Sequence, residues 1–183
     1  FAIAHQLAQA GADVLLIAGP VSLSIHHPAI TRINVRSAQQ MYDIAMRYFP
    51  DCDAAILSAA VADFTPVTTY TEKIKEKSHE LTLTLRPNPD IARELGKIKK
   101  NNQVMVGFAL ETHNEYEFAR EKMKKKNFDF IVLNSLQDKG AGFGFDTNKV
   151  TFIDSKGHIE NFDLKSKNEV ATDIINKLAL CFK

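Results

Sequence analysis

The chain has 183 residues, 45% of them hydrophobic, and its 23 Lys and Arg against 22 Asp and Glu leave a formal net charge of +1. That hydrophobic share excludes a disordered chain, no apolar run reaches the roughly 18 residues of a spanning helix, and the lack of a basic excess argues against a general nucleic-acid binder. The length suits one domain with a substantial core, and Cys52 and Cys181, too few for a disulfide scaffold and without metal-ligand spacing, read as reduced thiols in a cytosolic protein.

Ile3, Leu7 and Ala10 recur at helical spacing, and Gly11 ends that helix. Val14–Ala18 is a continuous apolar run, as in a strand buried on both faces, stopped by Gly19-Pro20. Ile30–Val35 predicts another strand. Ser37 caps a helix that carries Met41, Ile44, Ala45 and Tyr48, and Ala54–Leu57 is the next buried strand. Leu81–Leu85 alternates Leu and Thr, the pattern of a half-exposed strand. Pro89–Lys100 predicts a helix, Val104–Phe108 a strand, Glu115–Lys126 a charged helix and Phe128–Leu133 a buried strand. Val150–Ile153 and His158–Leu164, joined by Ser155-Lys-Gly157, predict a hairpin. Ser166 then caps a final helix with Val170, Ile174, Ile175 and Leu178 on one face.

Strands alternating with helices define the fold class as α/β: a doubly wound, mostly parallel, Rossmann-like sheet with a C-terminal β-hairpin and helix, in a single domain over 1–183. Ligands of such sheets bind where loops leave the carboxyl ends of the strands, so the loops after Leu57, Phe108 and Leu133 are expected to share one crevice. The polar stretch Thr65–Glu80 is the candidate flap, with few core anchors. A strand and a phosphate-binding turn normally precede the first helix of this fold. Neither is in the sequence, so the chain is expected to be part of a longer protein.

The chemistry concentrates in Ser58-Ala-Ala-Val-Ala-Asp63, Glu72-Lys-Ile-Lys75 and Asn88-Pro-Asp-Ile91. Small residues at a strand end let a ligand approach the backbone, lysines hold phosphates, and free N–H groups at a helix start bind anions. In that order they outline a nucleotide site. Each piece also has an ordinary reading: Asp63 can cap a turn, Lys73 and Lys75 can be a solvated charge run, and Asn88 with Pro89 can be plain capping. Phe108 either stacks on a base or serves the core. Lys122, Lys124, Lys125 and Lys126 either hold phosphate or complement a helix dipole. Asn134, an amide ending a buried strand, needs a partner. His26-His27 has no third ligand nearby in sequence, and no metal site is assigned. There is no P-loop, no Gly-x-Ser-x-Gly elbow and no zinc spacing.

The chain resembles the phosphopantothenoylcysteine synthetase family, in which most bacterial members form the C-terminal half of a bifunctional protein with a flavin-dependent decarboxylase. The resemblance covers nearly the whole chain. It rests on the three segments above together with Gly11-Ala-Asp-Val14, Gly19-Pro-Val-Ser-Leu23, Val106-Gly-Phe-Ala-Leu-Glu-Thr112, Ala119-Arg-Glu-Lys122, Lys126-Asn127, Asn134, and Gly142-Phe143 with Asp146 and Asn148. It implies a cytoplasmic ligase that uses CTP, with Mg2+, to activate 4′-phosphopantothenate as an acyl-cytidylate. Cysteine then attacks and CMP leaves. FMN would belong only to a fused decarboxylase half.

By the same resemblance Ser58, Ala59, Asp63, Lys73, Asn88, Pro89, Asp90, Ile91, Phe108, Lys122 and Lys126 line the nucleotide site. Lys73 is the flap lysine at the reacting phosphate and the one catalytic residue implied, while Ala60 and Asn134 meet the substrate. The family's N-terminal strand and Gly-rich loop, with a basic residue and an Asn that act on the acyl intermediate, are missing here, and position 135 is Ser where many members have Asp. The resemblance also implies a homodimer. The apolar residues on both faces of the 150–164 hairpin (Val150, Phe152, Ile153, Ile159 and Phe162) make that hairpin the expected contact, unless the C-terminal helix covers it. Two other readings remain beside the ligase: a nicotinamide-dependent oxidoreductase of the same architecture, and a non-catalytic nucleotide-binding module.

Overall fold

A computed structural model describes residues 1–68, 82–111, 115–135 and 146–182, with the backbone alone at 111, 115 and 135. Helices α1 (Ala2–Gln9), α2 (Ala38–Tyr48), α3 (Ile91–Ile98), α4 (Glu115–Lys126) and α5 (Lys167–Cys181) alternate with the strands. The strands are β1 (Val14–Ala18), β2 (Ile30–Asn34), β3 (Ala54–Leu57), β4 (Phe64–Pro66), β5 (Leu85–Pro87), β6 (Val104–Glu111), β7 (Phe130–Ser135), β8 (Thr147–Asn148), β9 (Val150–Asp154), β10 (Ile159–Asn161) and β11 (Lys165–Ser166). The central sheet has the order β10-β9-β7-β6-β3, and β3, β6 and β7 are parallel. β9 runs antiparallel to β7, and β10 antiparallel to β9. β1 and β2 form a separate parallel pair.

Alternation along β6 explains the two-sided core. Met105 and Ala109 join Ile131, Leu133 and Ile153 in one cluster, closed by Ala45 and Phe49 at the end of α2, Ile91 and Leu95 of α3, and Ala119 and Met123 of α4. Val104 and Val106 join Phe130, Val132, Val150 and Phe152 in the other, closed by Val170, Ile174 and Leu178 of α5, with Ile3 and Leu7 of α1 packed against it. Successive side chains of a strand point to opposite faces, so apolar runs such as Phe130–Leu133 need cover on both sides. The doubly wound, parallel-dominant architecture is the one expected from sequence.

Several expectations change. The strand expected at Leu81–Leu85 falls at Leu85–Pro87, where it pairs antiparallel with β4, Phe64 opposite Pro87. Thr65 and Pro66, expected in a flap, therefore lie in a strand, and 69–80 of that flap lie outside the described residues. The third helix begins at Ile91 and ends at Ile98. The strand expected over Phe128–Leu133 starts two residues later, because Phe128 folds under α4 against Gly107. The hairpin expected to carry a dimer contact is covered within the chain over most of its apolar side chains, leaving Ile159 and Leu164 exposed. α5 packs on Val150 and Phe152, Ile153 enters the opposite cluster, and Phe162 stacks on Phe152 at 4.6 Å. The C-terminal helix thus covers the face that carries Val150 and Phe152, as the internal alternative expects, and of the hairpin's apolar side chains only Ile159 and Leu164 remain exposed.

Candidate functional site

The carboxyl ends of β3, β6 and β7 lie side by side, so the segments leaving them share one edge of the sheet. Ser58, Ala59 and Ala60 leave β3 exposed, and Asp63 is exposed beyond them. Asn88 ties this loop down from the far side. Its Nδ2 donates to the Ala62 carbonyl at 2.8 Å, and its backbone N–H donates to the Asp63 carbonyl at 2.8 Å. Asn88 was expected to cap the next helix, with Pro89 in its first turn. The cap is instead Asp90, whose Oδ1 accepts the Arg93 N–H at 3.1 Å, and Pro89 stands one residue before it. Sequence carried the signal: Asp90 immediately precedes Ile91, the first core residue of that helix. Asn88 is released for the longer reach.

Two of the four lysines of α4, Lys122 and Lys126, arrive at this edge already engaged. The Lys126 ammonium sits 2.9 Å from Asp90 Oδ1. Lys122 Nζ donates to the Phe108 carbonyl at 2.9 Å. Burial alone would raise the Asp90 carboxyl, but hydrogen bonds from Lys126 and the Arg93 amide, with the charges of Lys126 and Lys125, hold it below its ordinary value. The structure thus gathers Asp63, Asn88, Asp90, Lys126, Lys122 and the Phe108 backbone. The Phe108 ring goes elsewhere: it packs with Val104 and Val106 on the face away from α4. Asn134 follows Phe130 and Val132 on that same face, and its buried Oδ1 has no hydrogen-bond partner among the described residues. Lys73 lies outside the described residues. It belongs to the segment joining β4 to β5, whose described ends flank Asp63 and Asn88.

Glycine permits the close packing beneath the lysines. A Cβ at Gly96 of α3 would strike the Lys126 carbonyl oxygen and lie 2.8 Å from its carbon, so only glycine lets α3 and α4 approach there. Asn127, at φ 56°, closes the contact by donating Nδ2 to the Gly96 carbonyl at 3.0 Å.

Fold and site together define a Rossmann-like α/β protein with its candidate residues at the carboxyl edge of the sheet. A family model described as the DNA/pantothenate metabolism flavoprotein C-terminal domain matches residues 1–181, and the chain belongs to that family. It is 41% identical over 183 residues to the coenzyme A biosynthesis bifunctional protein CoaBC of Bacillus subtilis, covering 100% of this chain and 45% of that protein. It is 54% identical over 177 residues to a protein named cysteine/cysteine sulfinic acid decarboxylase from an unknown prokaryotic organism, covering 97% of this chain and 49% of that protein. The chain therefore spans about half the length of the curated relatives it matches. The crystal structure of a CoaBC C-terminal domain superposes with a TM-score of 0.81 at 32% identity, covering 98% of this chain and 79% of that one.

Proposed function

We propose that this chain is a phosphopantothenate–cysteine ligase module acting in coenzyme A biosynthesis. The 4′-phosphopantothenate carboxylate attacks the α-phosphorus of CTP, pyrophosphate leaves, and a mixed acyl-cytidylate anhydride forms. The cysteine amine then attacks the acyl carbon, CMP leaves with the bonding electron pair, and the amide remains. Such chemistry needs positioning and charge stabilisation more than a protein nucleophile.

The observation that carries the reading is the convergence of Asp90, Lys126, Lys122 and the Asn88-tethered loop at one sheet edge. In this reading Lys122 and Lys126 take the triphosphate, and the exposed Ser58, Ala59 and Ala60 offer backbone to the base and the pantothenate arm. Asp63 accepts from ribose or base, and the Asn134 amide meets the substrate. Lys73 is assigned to the reacting phosphate by family resemblance. Among the described residues no three His, Cys, Asp or Glu side chains cluster as metal ligands. Magnesium would arrive on the nucleotide, held mainly by phosphate oxygens and water, the usual coordination of that ion.

Two further features belong to the same reading. Among the described residues β1 pairs only with β2, and β3 only with β6, yet Ile17 of β1 and Ala55 and Leu57 of β3 pack into one cluster under α2. A parallel strand ahead of α1, reached by a right-handed crossover, would fit between them and bring the family's Gly-rich loop to this edge. The homodimer is assigned to the β4–β5 ribbon instead of the hairpin: Phe64, Val67, Leu83 and Leu85 are each more than half exposed there, an apolar surface that a second copy would cover. The decarboxylase named for the 54% identical relative is assigned to the half that this chain does not span, and any FMN with it. Among the described residues no helix is long and apolar enough to cross a membrane, and a cytoplasmic site follows from the pathway.

The deciding experiment supplies 4′-phosphopantothenate and cysteine with CTP or ATP to the full-length protein, and follows pyrophosphate release and the amide product by mass. CTP-dependent product is expected. Turnover with neither nucleotide overturns the ligase reading, and equal turnover with both overturns the choice of CTP.

A further inference from the structure

A second concave site lies at the opposite end of the sheet. β9 runs antiparallel to β7, with Asp154 opposite Phe130, so the turn after β9 lies at the edge where the parallel strands begin. That turn and α4 flank an open groove of about 450 Å3, lined by Arg120, Lys124, Asn127, Ser155, Lys156 and Gly157 among others. Volumes of about 300–1,000 Å3 are those of small-molecule sites.

Its charge is unbalanced. Asp154 is the one carboxylate in the lining, and it is engaged: Oδ1 accepts the Lys156 and His158 N–H groups at 3.0 Å each, and Oδ2 faces Lys177 Nζ at 3.4 Å. The side chains of Arg120, Lys124 and Lys156 form no hydrogen bond or ion pair among the described residues. The helix dipole accounts for Lys124, in the last turn of α4, but not for Arg120, which precedes that turn, or for Lys156, which is not on a helix. Backbone amides of the turn are also committed, Ser155 N–H to the Asp129 carbonyl and Gly157 N–H to the Asp154 carbonyl, both at 2.9 Å. What remains for a ligand is one guanidinium fork, two ammonium groups and the Ser155 hydroxyl. That set suits clustered phosphoryl oxygens, since Arg gives planar paired donors and Lys a compact charge. A net charge of +1 speaks against an extended nucleic-acid track.

We propose that this groove binds a small ligand carrying neighbouring phosphoryl groups, at a site separate from the carboxyl-edge crevice. Inorganic pyrophosphate is the probe, titrated into the chain at low salt and followed by amide chemical shifts. Saturable shifts are expected at 124–127 and 154–158. In Arg120→Glu/Lys124→Glu, two exposed positions where folding should persist and spectral dispersion verifies it, the dissociation constant at those amides should rise at least about tenfold, equivalent to about 1.4 kcal/mol. Added salt should weaken the wild-type binding. Shifts confined to 58–63 and 88–91 would place pyrophosphate in the other crevice alone and overturn the proposal, as would unchanged affinity in the double variant. Ligase turnover does not enter the test, so the two readings fail separately.

Discussion

Gly107→Ala tests how tightly the sheet supports the lysine helix. Phe128 packs across Gly107, and a methyl group there would lie 2.7 Å from Cδ2 and 2.8 Å from Cζ of its ring. Carbon pairs are at their best near 3.5–4.0 Å, so ring or strand must move by roughly 1 Å. Phe128 is buried. Overpacking of this kind costs about 1–3 kcal/mol, partly offset by about 0.5–1 kcal/mol from replacing glycine inside a strand. The net expectation is a loss of about 1–2 kcal/mol, or roughly 2–8 °C in melting temperature for a chain of this size. Urea denaturation of wild type, Gly107→Ala, Phe128→Leu and the double variant closes a cycle. With the shorter leucine beneath it, the added methyl group should cost less than about 0.5 kcal/mol. Because the next residue, Phe108, gives its carbonyl to Lys122, the single variant should also weaken CTP binding. A Gly107→Ala protein as stable as wild type, or a full penalty persisting in the double variant, would refute the packing argument.

Lys126→Ala should raise the dissociation constant for CTP by about tenfold, the scale of one charge-assisted hydrogen bond, and the difference should shrink at high salt; calorimetric titration measures it, and an unchanged affinity would leave Lys126 as a helix partner only. Asp90 is held below its ordinary 3.8 in the folded state, so its contribution to stability is present above that value and is lost as pH falls through the lower folded value. Asp90→Asn should therefore flatten the acid limb of the stability curve, read from urea melts between about pH 5 and about pH 3. Lys73→Ala should leave stability near wild type and lower ligase turnover about 10²-fold in the full-length protein, the scale of one transition-state contact, and wild-type turnover would remove its role.

The positions of the parallel strands were legible in the sequence, and those of the surface ribbons were not. β1 and β3 match the bounds predicted at Val14–Ala18 and Ala54–Leu57 because an unbroken apolar run between turn residues has few other uses, but the burial expected of them does not follow, since only Ala18 is buried and the rest are half-buried. Ser166 caps the last helix as expected and adds a capping box with Glu169. β4 and β5 pair away from the main sheet, with Leu83 and Leu85 exposed, so alternation of Leu with Thr carried no burial signal and the strand was displaced. At the site, residue types were readable and their orientations were not. Phe108 reads as a stacking candidate, but strand parity turns its ring toward Val106 and the far face. Asn88 reads as a cap because Pro follows it, but its amide reaches the Ala62 carbonyl 26 residues away, a pairing that only the tertiary fold creates.

The lysines of α4 show why the candidate site is a property of packing more than of motif. A lysine at a helix end normally spreads over many rotamers, and holding it in one costs up to about 2 kcal/mol in side-chain entropy. Here part of that cost is met within the fold. Gly96 lets α3 and α4 close together, Asn127 pins the junction, and Lys126 runs back along α3 to the carboxylate that caps it. Lys122 is fixed to a strand carbonyl in the same way. In the proposed nucleotide reading, an incoming triphosphate would meet ammonium groups whose positions are already restricted, and its affinity would gain what those side chains do not have to lose on binding. Asp90 is also a competitor, since a phosphate oxygen must replace or share its hold on Lys126. A weaker hold would free the ammonium and disorder it. Asp90→Asn separates the two effects: if positioning dominates, CTP affinity falls despite the removal of a negative charge, whereas a rise in affinity would assign Asp90 to restraint of the lysine rather than to its placement.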